Sequence, residues 1–168
     1  IEQAAQRLTT LQRDGRRGVP FFFLRIDKAG NVTKRFNATS FSIAEYGGAC
    51  PVWNVHVAFR TPGVLLPQLV ELPDGQQFFT ISRTTERPVY SMETQDRRLA
   101  IALGCESQHA HRVIYASGLD LSPSGTASKI GINCHRCPRH NCGQRAHDPI
   151  VTELSTDTKQ RGETHYES

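Results

Sequence analysis

Two pairs of apolar segments, each joined by a short turn, most constrain what this chain of 168 residues can fold into. The first pair is Pro20–Asp27 and Val32–Phe36, on either side of the turn sequence KAGN. The second pair is Gly63–Leu72 and Gln76–Thr85, around the turn sequence PDG. Because such turns reverse the chain between neighbouring strands, both pairs predict β-hairpins.

Three helices are predicted around these hairpins. The spacing of apolar residues favours a helix over Glu2–Arg13. A second helix is predicted over Ala49–Phe59, with Pro51 in its first turn, where proline is tolerated. The third helix, Glu106–Ala116, follows the apolar run Leu99–Cys105, which predicts a central strand. Consecutive hairpins with helices on the faces make an α+β domain, built on a mostly antiparallel sheet flanked by helices.

Length and composition predict a single domain over residues 1–154, followed by a polar tail, 155–168, that we expect to be poorly ordered. The chain starts without Met, so we expect a fragment of a longer protein. No stretch approaches the roughly 18 apolar residues of a membrane span, so no membrane partner is expected. A net charge of +4 indicates an anionic partner, such as nucleic acid or a phosphate-bearing small molecule, or a basic surface with no specific partner.

Three of the five cysteines lie in one short stretch of residues 131–149. Cys134, Cys137 and Cys142 have the spacing C-x2-C-x4-C. An odd number of cysteines with this clustering argues against a disulfide framework and predicts a metal site in a reducing compartment, the cytoplasm. Turns of the C-x2-C type aim two sulfurs at one point, which suits either zinc or an iron–sulfur cluster.

The fourth ligand would decide between the two metals, and the residues leave it open. With His147 the spacing becomes that of a zinc knuckle whose last Cys and His are exchanged. Asp148 offers a carboxylate to iron, and Cys50 or Cys105 would complete a set of four thiolates if the fold brings one close. An unliganded or disulfide-bonded loop is the remaining alternative. The negative charge of a thiolate-ligated centre would be offset by nearby arginines, namely Arg136, Arg139 and Arg145.

Four segments, in order, resemble the C-terminal ligand-sensing region of the short-chain fatty-acyl-responsive transcription regulators of actinobacteria. This family controls propionate (methylcitrate-cycle) and glyoxylate metabolism. The joint occurrence of the segments is much more specific than any single motif. They are GGACPVWNVHVAF at Gly47–Phe59, QLVELPDGQQFFTISRT at Gln68–Thr84, LAIALGCESQHAHRVIYASGLDL at Leu99–Leu121 and IGINCHRCPRHNCGQRA at Ile130–Ala146.

The resemblance implies a GAF-like fold that responds to CoA or an acyl-CoA such as propionyl-CoA. It also implies an N-terminal helix-turn-helix domain in the full protein, which is absent from this chain, and a [4Fe–4S] cluster on Cys134, Cys137 and Cys142. We expect Asp148 as the fourth ligand, with His147 and Cys50 as alternatives. Regulators that read palindromic sites are usually dimers, so the full protein is expected to be a homodimer that binds DNA.

Acyl-CoA binding needs cations for the phosphates and an apolar slot for the acyl group. We expect Arg60, Arg83 and Arg87 at the phosphate end, with Trp53 and Phe79 forming the apolar wall. No P-loop, G-x-S-x-G motif or Cys/His nucleophile pair is found, so an enzyme is not expected. The alternative function is a zinc-knuckle-like nucleic-acid-binding module with a structural zinc site.

Overall fold

The computed structural model describes residues 1–13, 15–44, 47–85, 98–122 and 125–150. Within these ranges the chain forms two α-helices, eight β-strands and three short 3₁₀ helices. The elements are α1 (Glu2–Thr9), β1 (Gln12–Arg13), β2 (Arg16–Arg17), β3 (Phe22–Ile26), β4 (Val32–Asn37), α2 (Asn54–Val57), β5 (Leu66–Glu71), β6 (Gln77–Thr85), β7 (Leu99–Glu106) and β8 (Ser128–Lys129), with 3₁₀ helices at Ser107–Arg112, Ile114–Ala116 and Cys134–Arg136.

Six strands form one mixed sheet in the order β4-β3-β7-β6-β5-β8. Both predicted hairpins are confirmed, since β3 pairs with β4 and β5 pairs with β6, each antiparallel. The predicted central strand, β7, is also confirmed and lies between β3 and β6. The short strand β8 adds a parallel pairing to β5 that the sequence did not reveal. The fold is therefore α+β, with an antiparallel sheet that gains one parallel edge strand.

The sheet buries apolar side chains on both faces. On one face, Phe22, Phe41 and Phe78 form an aromatic cluster, with 4.0 Å between the ring centroids of Phe22 and Phe41 and 5.0 Å between those of Phe41 and Phe78. On the other face, Phe79 and Ile81 pack with the residues of the first two 3₁₀ helices. Neighbouring residues of a strand point to opposite faces, and along β6 Phe78 and Phe79 accordingly belong to different clusters.

The helix predicted over Ala49–Phe59 is wrong in extent, because only Asn54–Val57 is helical. Before it, the backbone N–H of Ala49 donates to the carbonyl of Gly30 at 3.0 Å, which holds this part of the chain against the β3–β4 turn. Pro51 has no N–H to donate, and two of the four helical residues are the β-branched valines, which are weak helix formers. Cys50 therefore precedes the helix by several residues and does not lie at its N-terminus.

The other two helices are also shorter than predicted. The helix α1 ends at Thr9, where the hydroxyls of Thr9 and Thr10 donate to the carbonyls of the preceding turn, a contact that competes with helix continuation. The segment predicted as a helix over Glu106–Ala116 is two 3₁₀ helices, separated by an extended Val113. In the described part of the chain, no helix has the length and apolar character needed to cross a bilayer. The predicted polar tail, 155–168, lies outside the described residues.

Candidate metal and ligand site

Residues 131–149, called the cysteine loop below, are tied to the β5 edge of the sheet. The carbonyl of Glu71 accepts two hydrogen bonds at 3.0 Å, one from the backbone N–H of Ile130 and one from Nη2 of Arg139. The same guanidinium lies 3.7 Å from the carboxylate of Glu71. Because both contacts involve the last residue of β5, the strand fixes where the loop begins and where its middle lies.

The first two cysteines lie on one tight turn. The Oδ1 atom of Asn133 accepts a hydrogen bond from the backbone N–H of Arg136 at 2.9 Å and caps the 3₁₀ helix Cys134–Arg136. The N–H of Cys137 then donates to the carbonyl of Cys134 at 3.3 Å. This is the compact turn that the C-x2-C spacing predicts.

Cys50 lies beside this turn, although it is far away in the sequence. Burial raises the pKa of the Cys50 thiol, and a hydrogen bond from the backbone of Gly131 acts in the opposite direction. The thiols of Cys134 and Cys137 are close enough to Cys50 to raise its pKa further. The fold therefore places a fourth cysteine near the first two of the loop.

Gly131 leaves room for Cys137. A Cβ atom on Gly131 would lie 2.7 Å from the Sγ atom of Cys137 and 2.9 Å from its Cβ atom, which is closer than atoms normally approach. The absence of a side chain at position 131 thus forms a cradle for this sulfur.

The expected fourth ligand, Asp148, and the alternative His147 are both exposed. The Nδ1 atom of His135 lies 3.2 Å from the backbone carbonyl of Asp148, and the rings of His135 and His147 stack with centroids 4.8 Å apart. Among the residues that the structure describes, which include every predicted metal ligand, no three His, Cys, Asp or Glu side chains are placed to hold a metal ion.

The chemistry of the cysteines nonetheless fits a metal that prefers thiolate ligands. Cys134 and Cys137 share one turn, Cys142 is half-buried in the same loop, and Gly131 cradles one of the sulfurs. Cys105 does not belong to this group, because it is buried on the opposite face of the sheet. Its burial raises the pKa of its thiol to about 12, so it stays protonated and unreactive at neutral pH.

A cleft of about 550 Å³ lies between the cysteine loop, the β3–β4 turn and the segment before α2. This volume is within the usual range of small-molecule sites. The cleft is lined by Ala29, Asn31, Gly47, Gly48, Ala49, Pro51, His56, Asn133, Cys134, His135, Ala146 and His147. Burial lowers the pKa of His56, whose Nε2 atom lies 3.3 Å from the carbonyl of Ala49.

A small apolar pocket adjoins the cleft and shares Ala49 with it. The pocket holds only about 10 Å³, the space of roughly one water molecule or methyl group. Trp53 lines it together with Phe41 and Ile43, while Gly131 and Ile132 of the cysteine loop form another wall.

The structure does not bring the five predicted ligand-binding residues together. Trp53 lines the apolar pocket and donates from Nε1 to the hydroxyl of Thr80 at 3.2 Å, whereas Phe79 is buried on the opposite face of the sheet. They therefore cannot form one wall. Arg60 is exposed just after α2, and Arg83 is half-buried on β6, so neither lines the cleft. Arg87 lies outside the described residues.

Sequence reasoning missed the polar lining of the cleft, including Asn31, His56 and Asn133. Their signal was weak, since each is an isolated polar residue in a different segment. The pair Gly47 and Gly48 was the one local hint, because glycines allow close approach of backbone, and Gly48 indeed bridges to Asn31.

Comparison with known proteins places nearly the whole chain in one family. The family model described as short-chain fatty acyl coenzyme A regulator, C-terminal, matches residues 10–166. The propionyl-CoA carboxylase regulator of Cereibacter sphaeroides is 51% identical over 99% of this chain and 36% of its own length. Two regulators of Mycobacterium tuberculosis are also similar. RamB is 46% identical over 93% of this chain and 33% of its own length. PrpR is 38% identical over 100% of this chain and 35% of its own length.

A solved structure of a Mycobacterium tuberculosis transcriptional regulator has the same fold, with a TM-score of 0.89 and 38% identity. The match covers 99% of this chain and 51% of the chain of the solved structure. The chain thus spans about a third of the length of the curated relatives. All three relatives are named as regulators, two of them as HTH-type transcriptional regulators, and none is named as an enzyme.

Proposed function

This chain belongs to the family of short-chain fatty acyl coenzyme A regulators, and we propose that it is the ligand-sensing domain of a transcription regulator of propionate and related short-chain acyl metabolism. In this proposal the domain is GAF-like and binds CoA or an acyl-CoA. The full protein carries a helix-turn-helix domain on the N-terminal side, binds DNA as a homodimer and works in the cytoplasm. The names of the relatives, which include two HTH-type transcriptional regulators, support this proposal.

One observation carries the proposed site: the cleft and the apolar pocket share walls with the cysteine loop. Asn133, Cys134 and His135 line the cleft, while Gly131 and Ile132 line the pocket. We place the polar part of the ligand in the cleft and the end of the acyl group in the pocket beside Trp53. A pocket with room for about one methyl group favours short acyl chains.

We further propose that Cys134, Cys137 and Cys142 hold a [4Fe–4S] cluster. Such a cluster would supply a redox-sensitive centre, and thiolates are its usual ligands. Asp148 remains the proposed fourth ligand from its position at the end of the loop, and His147 is its neighbour. Cys50 is the alternative that the fold favours, because its thiol lies near those of Cys134 and Cys137.

Zinc is the alternative metal, since three thiolates suit it equally well. The zinc-knuckle-like nucleic-acid-binding module is less well supported than the sensor, because the match to a regulator C-terminal region extends over residues 10–166 and not only over the loop.

The test combines metal analysis with ligand binding. Protein purified without oxygen is expected to contain iron and sulfide, and Cys137→Ser is expected to lose the cluster absorption and to bind propionyl-CoA more weakly, as measured by calorimetry. Cys105→Ala removes a thiol on the opposite face and is expected to keep both properties.

Each part of the proposal can fail separately. A colourless protein with bound zinc would overturn the iron–sulfur assignment. Unchanged propionyl-CoA binding in a cluster-free Cys137→Ser variant would overturn the link between the two sites. Comparing Cys50→Ser with Asp148→Asn identifies the fourth ligand, because only loss of the true ligand alters the cluster spectrum.

A further inference from the structure

The guanidinium of Arg145 is buried inside the cysteine loop, with only 5% of the residue exposed. We propose that Arg145 is the positioning residue that closes the loop and thereby holds its cysteines ready for a metal centre. The structural part of this inference stands on the contacts of Arg145, and its metal-binding part rests on the proposed function.

Arg145 binds four backbone carbonyls of the loop. Nη1 donates to Cys134 at 3.2 Å and to His147 at 3.5 Å. Nη2 donates to Cys137 at 3.3 Å and to Arg139. The acceptors include the first two cysteines themselves, one residue between the second and third cysteines, and one residue after the third. One side chain therefore connects nearly the whole loop.

Arginine is suited to this role because its guanidinium is planar and carries its donors in a fixed fork. The two Nη atoms have four N–H protons, and each has a carbonyl acceptor in the loop. Lysine has three donors on a single rotatable ammonium and cannot reproduce this geometry. The loop has little regular secondary structure, so these contacts replace the backbone pairing that a strand or helix would provide.

The four hydrogen bonds from Arg145 to the loop carbonyls, called the clamp below, also affect the position of a sulfur. The backbone N–H of Ala146, the residue next to Arg145, points at the Sγ atom of Cys134 at a distance of 3.4 Å. Hydrogen bonds to ligand sulfurs tune thiolate-bound metal centres. By fixing the Cys134 carbonyl and the Ala146 backbone together, Arg145 sets this N–H···S contact.

The neighbouring arginines have different roles. Arg139 reaches outward to Glu71 on β5 and attaches the loop to the sheet. Arg136 is exposed and is the matched control for loss of one positive charge from the same loop. If charge alone mattered, removing either Arg136 or Arg145 would have similar consequences.

The experiment compares Arg145→Gln, Arg145→Lys and Arg136→Gln with the unmodified 168-residue chain. Hydrogen-exchange mass spectrometry without metal follows peptides from the loop and from β5–β6, and titration with Co²⁺ under reducing conditions reports thiolate coordination by its absorption. We expect Arg145→Gln to exchange faster in the loop but not in β5–β6, and to lose about 10- to 100-fold in Co²⁺ affinity. Arg145→Lys is expected to be intermediate in both measurements. Arg136→Gln is expected to keep the loop exchange of the unmodified chain and to lose much less Co²⁺ affinity than Arg145→Gln, because the exposed Arg136 side chain offsets thiolate charge only through screening solvent.

The outcomes separate this inference from the proposed function. Unchanged loop exchange in Arg145→Gln, or full retention of protection in Arg145→Lys, overturns the clamp. If Arg145→Gln exchanges faster in the loop but the unmodified chain binds no Co²⁺, the result supports the role of Arg145 in closing the loop and counts against the metal site. If Arg145→Gln unfolds altogether, Arg145→Lys decides: faster exchange confined to the loop supports the proposal, and faster exchange throughout the sheet overturns it.

Discussion

The sheet and the cysteine loop are stabilised in different ways. The sheet has continuous hydrogen-bonded pairing between its strands. It buries aromatic side chains such as Phe22 and Phe78, which pack within one cluster of buried residues. The loop has one 3₁₀ turn and depends on a few side-chain-to-backbone hydrogen bonds from Asn133, Arg139 and Arg145. Apolar burial is non-directional, whereas these hydrogen bonds need particular atoms in particular places. Single substitutions should therefore be able to disable the loop and leave the sheet folded.

The largest effect on stability is expected inside the sheet, at Gly104 of β7. A Cβ atom there would lie 2.5 Å from the Phe22 ring and 2.7 Å from the carbonyl oxygen of Phe79. Gly104→Val should lower the free energy of unfolding by about 3 kcal/mol, measured by urea denaturation, because the packed core cannot yield. Gly118→Ala is the control, since a Cβ at Gly118 meets nothing within 4 Å. Equal urea midpoints for Gly104→Val and the unmodified chain would contradict this account of the core.

A glycine of the loop should behave differently. Gly131→Ala brings a Cβ atom against the sulfur and Cβ of Cys137, so we expect the cysteine turn to shift. The free energy of unfolding should fall by only about 1 kcal/mol, a typical value for a single substitution. Co²⁺ affinity should fall by about 10-fold or more, as for other disturbances around metal ligands. A large loss of stability with intact Co²⁺ binding would show that the loop is not separable from the sheet.

The smallest effect concerns His56, which lies in the cleft between the two regions. Burial lowers its pKa below the ordinary value of 6.5, so the unfolded chain binds a proton more readily than the folded one. Its contribution to stability is present above pH 6.5 and is lost as the pH falls through the lower pKa of the folded state. Urea midpoints should therefore decrease from about pH 7.5 to about pH 5.5.

The matched variants for this pH effect are His56→Gln and His111→Gln. Replacing His56 should make stability less dependent on pH over that interval, because the buried imidazole is gone. His111 is exposed, so its replacement should leave the pH dependence unchanged. Identical pH profiles for the two variants would show that burial of His56 does not drive the effect.

The hairpins were predictable because their signals are local. The turn sequences KAGN and PDG, with apolar segments on either side, specify strand pairing between neighbours in sequence. The helices were overestimated because apolar spacing alone ignores competing local effects. Pro51, the valines of α2 and the threonines that end α1 each favour a different backbone from the one the spacing suggested.

The site was only partly predictable. The three loop cysteines stood out by spacing, and the family was evident from the order of four segments. The predicted ligand-binding set was chosen by residue type alone, and Trp53 and Phe79 turned out to face opposite sides of the sheet. The face of the sheet on which a side chain lies depends on strand register and on how loops pack across the sheet, and residue type does not specify either.

By itself, the sequence determined a largely antiparallel sheet, a cluster of three thiols and membership of a regulator family. The sheet and the thiol cluster depend on turns, periodicity and spacing, which are properties of residues close together in the chain. The family membership rests on the resemblance of four segments in a fixed order. Tertiary structure alone decided that Cys50 lies beside Cys134 and Cys137, that a cleft shares its wall with the cysteine loop, and that Arg145 turns inward. A loop with little regular secondary structure must satisfy its backbone carbonyls with whatever donors the fold brings near, and in this loop four carbonyls accept hydrogen bonds from one buried arginine.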